Sequence, residues 1–119
     1  MELSRVEIIT SNAKVETLLS TMGQYGITGI TVSQVMGCGV QYGSQEYEGE
    51  KKKDPTLLPK QAVMLVMPTK DVPDFLKYVE EKLYTGHIGD GKIFVSDVSK
   101  VIRVRTGEED FDALFPQVH

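Results

Sequence analysis

The chain has 119 residues, of which 40% are hydrophobic and 25% are charged, and these values predict one compact, soluble domain. A net charge of −4 and an isoelectric point of about 5.1 argue against a nucleic-acid-binding protein, which needs a basic face. The lone Cys38 excludes an intrachain disulfide, and the charged N-terminus and the lack of a long apolar run predict a cytoplasmic protein without membrane insertion.

The first third of the chain predicts a strand, a helix and a second strand. Residues 6–9 form a short apolar strand, and Ser11 and Asn12 then offer oxygens that can cap a helix. Apolar residues three and four apart follow, as on one face of a helix: Val15, Leu18, Leu19 and Met22. Glycines at 23 and 26 end this helix. Residues 30–33 alternate apolar and polar side chains, which predicts the second strand.

The rest of the chain predicts a loop, a buried strand, a second helix and two further strands. From Gly37 to about Leu58 the periodicity disappears, which indicates a long functional loop. The apolar run at 62–67 predicts a strand buried on both faces. Pro73 marks the start of a second helix, whose apolar stripe is Val72, Phe75, Leu76, Val79 and Leu83. Residues 93–95 and 101–105 predict two more strands.

The order of these elements predicts an α+β fold. It is β-α-β-(loop)-β-α-β-β, and its first six elements match a ferredoxin-like βαββαβ sandwich, to which an extra C-terminal strand is added. We expect a single domain over residues 1–119, with an acidic C-terminal tail over residues 107–119.

The segment from Gly86 to Lys92 has the glycine-lysine spacing of a P-loop but not its other features. Ile93 stands where a P-loop has Ser or Thr, and the segment follows a helix and precedes a strand, which reverses the usual order. Glycines still allow backbone N–H groups to approach an anion, and Lys92 adds a positive charge. The alternative from spacing alone is a tight turn with a solvated lysine.

Arg103 and Arg105 are two residues apart on the last predicted strand, so we expect both to project from one face. Adjacent arginines repel each other unless an anion lies between them, and the arginine fork suits phosphate. The alternative is an edge strand that charged side chains protect from pairing.

Together these motifs resemble the PII signal-transduction family. The strongest likeness is in the segment TGHIGDGKIFV at residues 85–95, followed by RVRTG at residues 103–107. Residues 27–32 (ITGITV) resemble the family's second strand, residues 37–43 (GCGVQYG) the base of its large T-loop, and residues 58–60 (LPK) the return of that loop. The resemblance covers residues 3–110 and keeps the family's order throughout.

The resemblance implies a homotrimer that binds ATP or ADP in the clefts between its subunits. It places the T-loop at about residues 38–58 and a phosphate-binding B-loop at about residues 84–92. The implied nucleotide-binding residues are Ile9, Thr31, Gly37, Cys38, Gly39, Val66, Ile88, Gly89, Asp90, Gly91, Lys92, Arg103 and Arg105. Residues 89–92 would hold the phosphates, and the arginines would reach them from the neighbouring subunit. The residues that would line the adenine and ribose are Thr31, Gly37, Cys38, Gly39 and Val66, with Ile9 nearby.

Some positions depart from the family pattern. Lys53 stands where many members have a tyrosine that is covalently modified, which argues against uridylylation. Gln41 and Lys60 match residues that contact 2-oxoglutarate in members that sense it, but Ser11 replaces an early basic residue. A dicarboxylate needs cationic partners when it leaves water, so 2-oxoglutarate binding is disfavoured. Bridging of Mg²⁺ through Gln41 is left open.

These observations favour a sensor of adenine nucleotides over an enzyme. Cys38 has no neighbouring imidazole to activate it, and no other nucleophile and base are paired in the sequence. The nucleotide would set the conformation of the T-loop, and the loop would dock on a target protein, with a membrane transporter as the first candidate. The alternatives are a slow ATP-hydrolysing enzyme and a nucleotide-binding scaffold without a switching output.

Overall fold

The computed structural model describes residues 2–25, 27, 29–39, 56–86 and 91–115. Its strands β1 (Leu3–Thr10), β2 (Ile30–Gly39), β3 (Thr56–Pro68) and β4 (Lys92–Val98) form one antiparallel sheet in the order β2-β3-β1-β4. Helix α1 (Asn12–Met22) links β1 to β2, α2 (Val72–Leu83) links β3 to β4, and the short α3 (Phe111–Leu114) comes last. This order confirms the predicted α+β class and its ferredoxin-like arrangement.

The core lies between the two long helices and one face of the sheet. In the central strands, Val6 is paired with Leu65 and Ile8 with Val63, and all four side chains are buried. The helices contribute the stripes that the periodicity predicted: Val15, Leu18 and Met22 from α1, and Val72, Phe75, Val79 and Leu83 from α2. The other two residues of these stripes are only partly covered: Leu19 is exposed and Leu76 is half-buried.

Neither of the two long helices packs on the opposite face of the sheet, which is called the helix-free face below. Because side chains alternate along a strand, Ile9, Val66 and Lys92 lie on this helix-free face together with Met64 and Phe94. The prediction that β3 is buried on both faces holds on this face at Ala62, which is buried, but is wrong at Met64 and Val66, which are half-buried. Phe94 is 53% exposed. The described residues therefore cover this face only in part.

Strands β2 and β3 extend further than the sequence pattern predicted. Gly37, Cys38 and Gly39 pair with Leu58, Leu57 and Thr56, although residues 38–58 were assigned to the T-loop. Glycine and polar residues carry no strand periodicity, but an antiparallel partner still satisfies their backbone hydrogen bonds. Residues 40–55, the rest of the predicted T-loop, lie outside the described residues.

The extra strand predicted at residues 101–105 is a tight hairpin instead. Arg103 N donates to Glu108 O at 2.8 Å, Gly107 N donates to Arg103 O at 2.7 Å, and Ile102 bridges to Glu109. Gly107 reverses the chain with a φ of 77°, a conformation that glycine adopts readily. The backbone groups of residues 101–103 therefore pair with the acidic segment that follows them and not with the sheet. That segment continues into α3, where Ala113 is buried.

Candidate functional site

One end of the sheet brings three of the predicted nucleotide residues together. Lys92, the first residue of β4, is the direct cross-strand partner of Ile9. The preceding residue, Gly91, has a φ of 115°, and its backbone lies against the carbonyl of Ile9. A Cβ at Gly91 would overlap that carbonyl oxygen and would come within 3.2 Å of the Thr10 Cβ. Gly91 is thus required by the close packing of its backbone on β1, whatever anion the loop binds.

The same β1–α1 region also holds the start of the segment that leads to Gly91. The Lys14 ammonium donates a hydrogen bond to the carbonyl oxygen of Leu83, the last residue of α2. A cation at a helix C-terminus is favourable because the final carbonyls carry partial negative charge. The chain therefore leaves α2 beside Lys14 and reaches β4 beside Ile9, so the consecutive elements α1 and β1 fix the two ends of the predicted B-loop.

We expect Lys14→Met, which keeps the aliphatic stem and removes the ammonium, to lower the free energy of unfolding by about 1 kcal/mol. The value is set by a charged hydrogen bond that water partly screens. Urea denaturation at fixed protein concentration measures it. Lys70→Met removes the same charge from an exposed position and is expected to change stability by less than about 0.5 kcal/mol. Equal effects of the two variants would show that the contact to Leu83 contributes nothing.

The other described adenine-side residues are spread along the helix-free face. Thr31, Gly37 and Gly39 share that face of β2, and Val66 lies on it in β3. Cys38 alternates with the glycines, so its side chain lies on the other face of the β2–β3 ribbon. Gly37 is paired with Leu58, eight residues from Val66 on β3, which corresponds to roughly 26 Å along the strand. This span exceeds the length of an extended ATP molecule.

Lys60 lies across Gly37 at the base of the predicted T-loop. A Cβ at Gly37 would come within 3.1 Å of the Lys60 Cγ, so the lysine stem occupies the space that the glycine leaves. Lys60 is half-buried and is the cross-strand partner of Val35. The glycine therefore lets one cation pack over the strand that leads into the loop.

The two arginines do not project side by side from a strand, which corrects the prediction. Arg103 is half-buried, and its Nε and Nη2 donate to the carbonyl oxygen of Ala113 at 3.1 and 2.7 Å. Arg105 is exposed on the turn of the hairpin. The alternation of residues 101–105 suggested a strand because a hairpin arm has the same periodicity, and the turn residue Gly107 lies beyond the alternating run.

Acidic residues that the sequence reading left as a tail hold this hairpin closed. Asp110 Oδ1 accepts a hydrogen bond from Val101 N at 3.0 Å, and the Lys100 ammonium contacts Glu109 and lies 3.7 Å from Asp110 Oδ2. The hydrogen bond to Glu109 raises the pKa of Lys100, so the lysine stays protonated at neutral pH. Its contribution is lost only as the pH rises through that raised value. The opposite charges of Lys100 and the acidic residues 108–110 were the signal in the sequence from which these contacts could have been predicted.

A cavity of about 560 Å³ opens on the helix side of Gly91, between α2 and β4. The described residues that line it are Lys77, Glu80, Glu81, Leu83, Tyr84, Gly91 and Ile93. Among these, two carboxylates and one ammonium give an excess of negative charge. Carboxylates repel phosphate, so this part of the cavity does not suit a polyphosphate.

Comparison with known proteins decides the family. Residues 3–108 match the family model described as "Nitrogen regulatory protein P-II". The chain belongs to the P-II family. A curated relative, the nitrogen regulatory protein P-II of Cyanidium caldarium, is 39% identical over 111 residues, which is 93% of this chain and 98% of the relative.

Solved P-II structures share the fold as well as the sequence. The B. subtilis GlnK structure aligns with a TM-score of 0.80 and 35% identity, covering 96% of this chain and 100% of GlnK. A structure described as a GlnK–ATP complex from the same organism aligns with a TM-score of 0.80 and 34% identity, over 95% and 96% of the two chains. The P-II relatives of this chain are named as regulatory proteins and not as enzymes.

Some of the predicted site residues lie outside the described residues, namely Ile88, Gly89 and Asp90 of the predicted B-loop and Gln41 of the predicted T-loop. Within the described ranges, no group of three or more His, Cys, Asp or Glu side chains is placed to hold a metal ion. No helix in that part of the chain is both long and apolar enough to cross a membrane.

Proposed function

We propose that this P-II family member is a regulator that senses ATP and ADP, and that it acts as a homotrimer with the nucleotide bound between subunits. The observation that carries the proposal is the corner where Lys92 lies opposite Ile9 and the Gly91 backbone packs on β1. A relative with the same fold is described as an ATP complex. Exposed amides of the glycine segment and the Lys92 ammonium would bind the phosphates.

The geometry of one subunit supports a site shared between two. Lys92 begins β4 beside Ile9, whereas Val98 ends it beside Leu3, so the chain enters the C-terminal hairpin roughly 20 Å from Lys92. The hairpin carries Arg103. Arginines from a neighbouring subunit therefore fit the phosphates better than those of the same chain. The residues predicted to line the adenine are also too widely spread on one chain to contact a single nucleotide, which likewise favours a site shared between subunits.

Exposed apolar side chains support the homotrimer. Val104, at the turn of the hairpin, is 94% exposed, and Ile102 is also exposed. On the helix-free face of the sheet, Phe94 and Leu58 are exposed as well. Exposed apolar groups on the sheet and on a projecting turn favour subunit packing, and closed packing would cover the edge of β4.

The T-loop would be the output of the sensor. Gly37 and Lys60 lie at the base of the β2–β3 ribbon that leads into it. A γ-phosphate, bound with or without Mg²⁺, would contact only some conformations of this base, and that difference in free energy would shift the loop population. The loop would then dock on a target protein, with a membrane transporter as the first candidate. Bridging of Mg²⁺ by Gln41 stays a prediction, and 2-oxoglutarate stays disfavoured.

Lys92→Ala is expected to weaken ATP affinity at least tenfold, or ~1.4 kcal/mol, because it removes a charge from the phosphate contact. Arg103→Ala is expected to weaken it by a similar factor. Isothermal titration calorimetry measures both, and Lys70→Ala, which removes the same charge from an exposed turn, serves as the control. An affinity for ATP that Lys92→Ala leaves unchanged would refute the site.

Mixed trimers test whether the arginine comes from the neighbouring subunit. When Lys92→Ala and Arg103→Ala subunits are combined, some interfaces join an intact Lys92 to an intact Arg103 on the next subunit. A site shared between subunits then regains part of its ATP binding in the mixture. A site within one subunit regains none, since every subunit carries one defect.

The alternatives to a sensor make different predictions. A pull-down from cell extract should retain a partner in the presence of one nucleotide and lose it with the other, whereas a scaffold would retain it equally with ATP and ADP. If phosphate is released from ATP as fast as partner binding changes, the enzyme is favoured. The relatives' names favour regulation.

A further inference from the structure

The contact between Arg103 and Ala113 gives the C-terminal segment a specific relation to the nucleotide site. Both bonds to the Ala113 carbonyl come from the Nε–Nη2 edge of the guanidinium. A guanidinium has five N–H donors, so the edge formed by the two terminal nitrogens keeps its donors for another ligand. That edge can make a forked contact with phosphate. Binding to Ala113 therefore orients Arg103 without consuming the donors that a phosphate needs.

The Ala113 carbonyl is itself held in place through Asp110. Asp110 N donates to Val101 O at 2.7 Å, and its Oδ1 accepts from Val101 N at 3.0 Å, so both backbone groups of Val101 are bound by one residue. Ala113 N then donates to Asp110 O at 3.0 Å, and Ala113 is 6% exposed. A chain of contacts thus leads from Val101 through Asp110 to the carbonyl that holds Arg103.

Asp110 adopts a backbone conformation that a side chain normally avoids. Its φ of 54° and ψ of −120° are those of a turn position that favours glycine. Such a conformation is strained for a residue with a side chain and persists only where surrounding contacts enforce it. The bonds of Asp110 to Val101 and its closeness to Lys100 are those contacts. A glycine would relieve the strain but would lack the carboxylate.

We propose that residues 107–115 are a positioning element, in which Asp110 and α3 hold the Arg103 guanidinium in the orientation that meets a nucleotide phosphate on the neighbouring subunit. The inference rests on the proposed function. It makes Asp110 a positioning residue that acts through Arg103 and touches no nucleotide. It also assigns a role to the acidic segment, which the family resemblance left without one.

The first test compares three variants by calorimetry with ATP. Asp110→Ala removes the acceptor for Val101 N and is expected to weaken ATP affinity about fivefold. Asp110→Asn keeps an oxygen that can accept this bond and tolerates a positive φ, so it should retain most of the wild-type affinity. Asp74→Ala removes the same charge from an exposed position in α2, outside this element, and should bind as wild type does.

The second test observes Arg103 directly and needs no nucleotide. In a ¹H–¹⁵N spectrum of the full chain, the Nε–H of Arg103, identified by its loss in Arg103→Ala, should exchange slowly in wild type and in Asp110→Asn. It should exchange rapidly in Asp110→Ala. A slowly exchanging signal in Asp110→Ala would show that Asp110 does not hold the guanidinium, and would overturn the inference.

The combined results separate this inference from the proposed function. A wild-type trimer that binds no ATP refutes the nucleotide site and the inference with it. If wild type binds ATP and Arg103→Ala weakens the affinity while Asp110→Ala does not, the site stands and the positioning role is wrong. A loss of affinity that Asp110→Asn fails to rescue would also overturn the role, since the acceptor oxygen would then be irrelevant.

Discussion

Replacing Gly91 by alanine is expected to lower the free energy of unfolding by about 3 kcal/mol. A non-glycine residue at a φ of 115° costs ~1–2 kcal/mol of backbone strain, and an added methyl group in a packed space costs a further ~1–3 kcal/mol. The new Cβ would overlap the Ile9 carbonyl oxygen, a backbone atom of a strand that is paired on both sides and cannot move aside cheaply. Urea denaturation at a fixed protein concentration measures the loss.

Two other glycines separate the contributions to this loss. Gly107 has a φ of 77° but open space around a Cβ, so Gly107→Ala should cost only the backbone strain. Gly23 has neither a positive φ nor a neighbour within 4 Å, so Gly23→Ala should change stability least. If Gly91→Ala proves no more destabilising than Gly107→Ala, the close packing of Gly91 on β1 is wrong.

The Gly91 variant should also lose affinity for ATP. Relief of the overlap requires the backbone before Lys92 to move away from Ile9, and Lys92 moves with it. We expect a loss of affinity at least as large as the tenfold change predicted for Lys92→Ala. Calorimetry below the melting transition measures it, and Gly23→Ala is the control for an unaffected site.

Phe75→Ala is expected to cost about 3–5 kcal/mol, the usual range for removing a buried aromatic ring. Phe75 is 1% exposed in the N-terminal half of α2, and its ring packs edge-to-face on Tyr25 with 5.4 Å between the centroids. The cavity left behind would lie in the core between the helices and the sheet. The denaturant midpoint should fall accordingly.

Leu19→Ala is the matched control for the core, because Leu19 lies in the stripe of α1 but is 37% exposed. We expect it to cost less than half as much as Phe75→Ala. Phe75 lies on the helix side of the sheet, away from Lys92, so ATP affinity of the folded variant should stay close to wild type. A large change in affinity would show that the core and the site are coupled.

The elements with strong periodicity could be predicted because their own side chains decide their faces. The stripe of α2, with Pro73 at its start, defines a buried face whatever lies opposite, and Phe75 and Val79 are buried as expected. The extension of β2 through Gly37 could not be predicted in this way. Backbone pairing with β3 determines it, and glycine leaves no trace of such pairing in the sequence.

The hairpin at residues 101–110 shows the same limit within the site. Ile102 and Arg103 alternate in both a strand and a hairpin arm, and only the partner of their backbone groups distinguishes the two. That partner is the acidic segment at 108–110, which bonds to residues 101–103 through the turn at Gly107. Composition suggested a solvated tail, because hydrogen bonds between main-chain atoms are not encoded in side-chain polarity.

By itself the sequence determined the α+β class, the two amphipathic helices, the glycine-lysine segment that ends at Lys92 and the likeness to the P-II family. Each of these depends on residue types at short spacing along the chain. Only the tertiary structure decided that Lys92 lies beside Ile9, that the Lys14 ammonium binds the last carbonyl of α2, and that the Ala113 carbonyl holds Arg103. These contacts join residues distant in the chain or use backbone atoms, and their geometry exists only once the chain has folded.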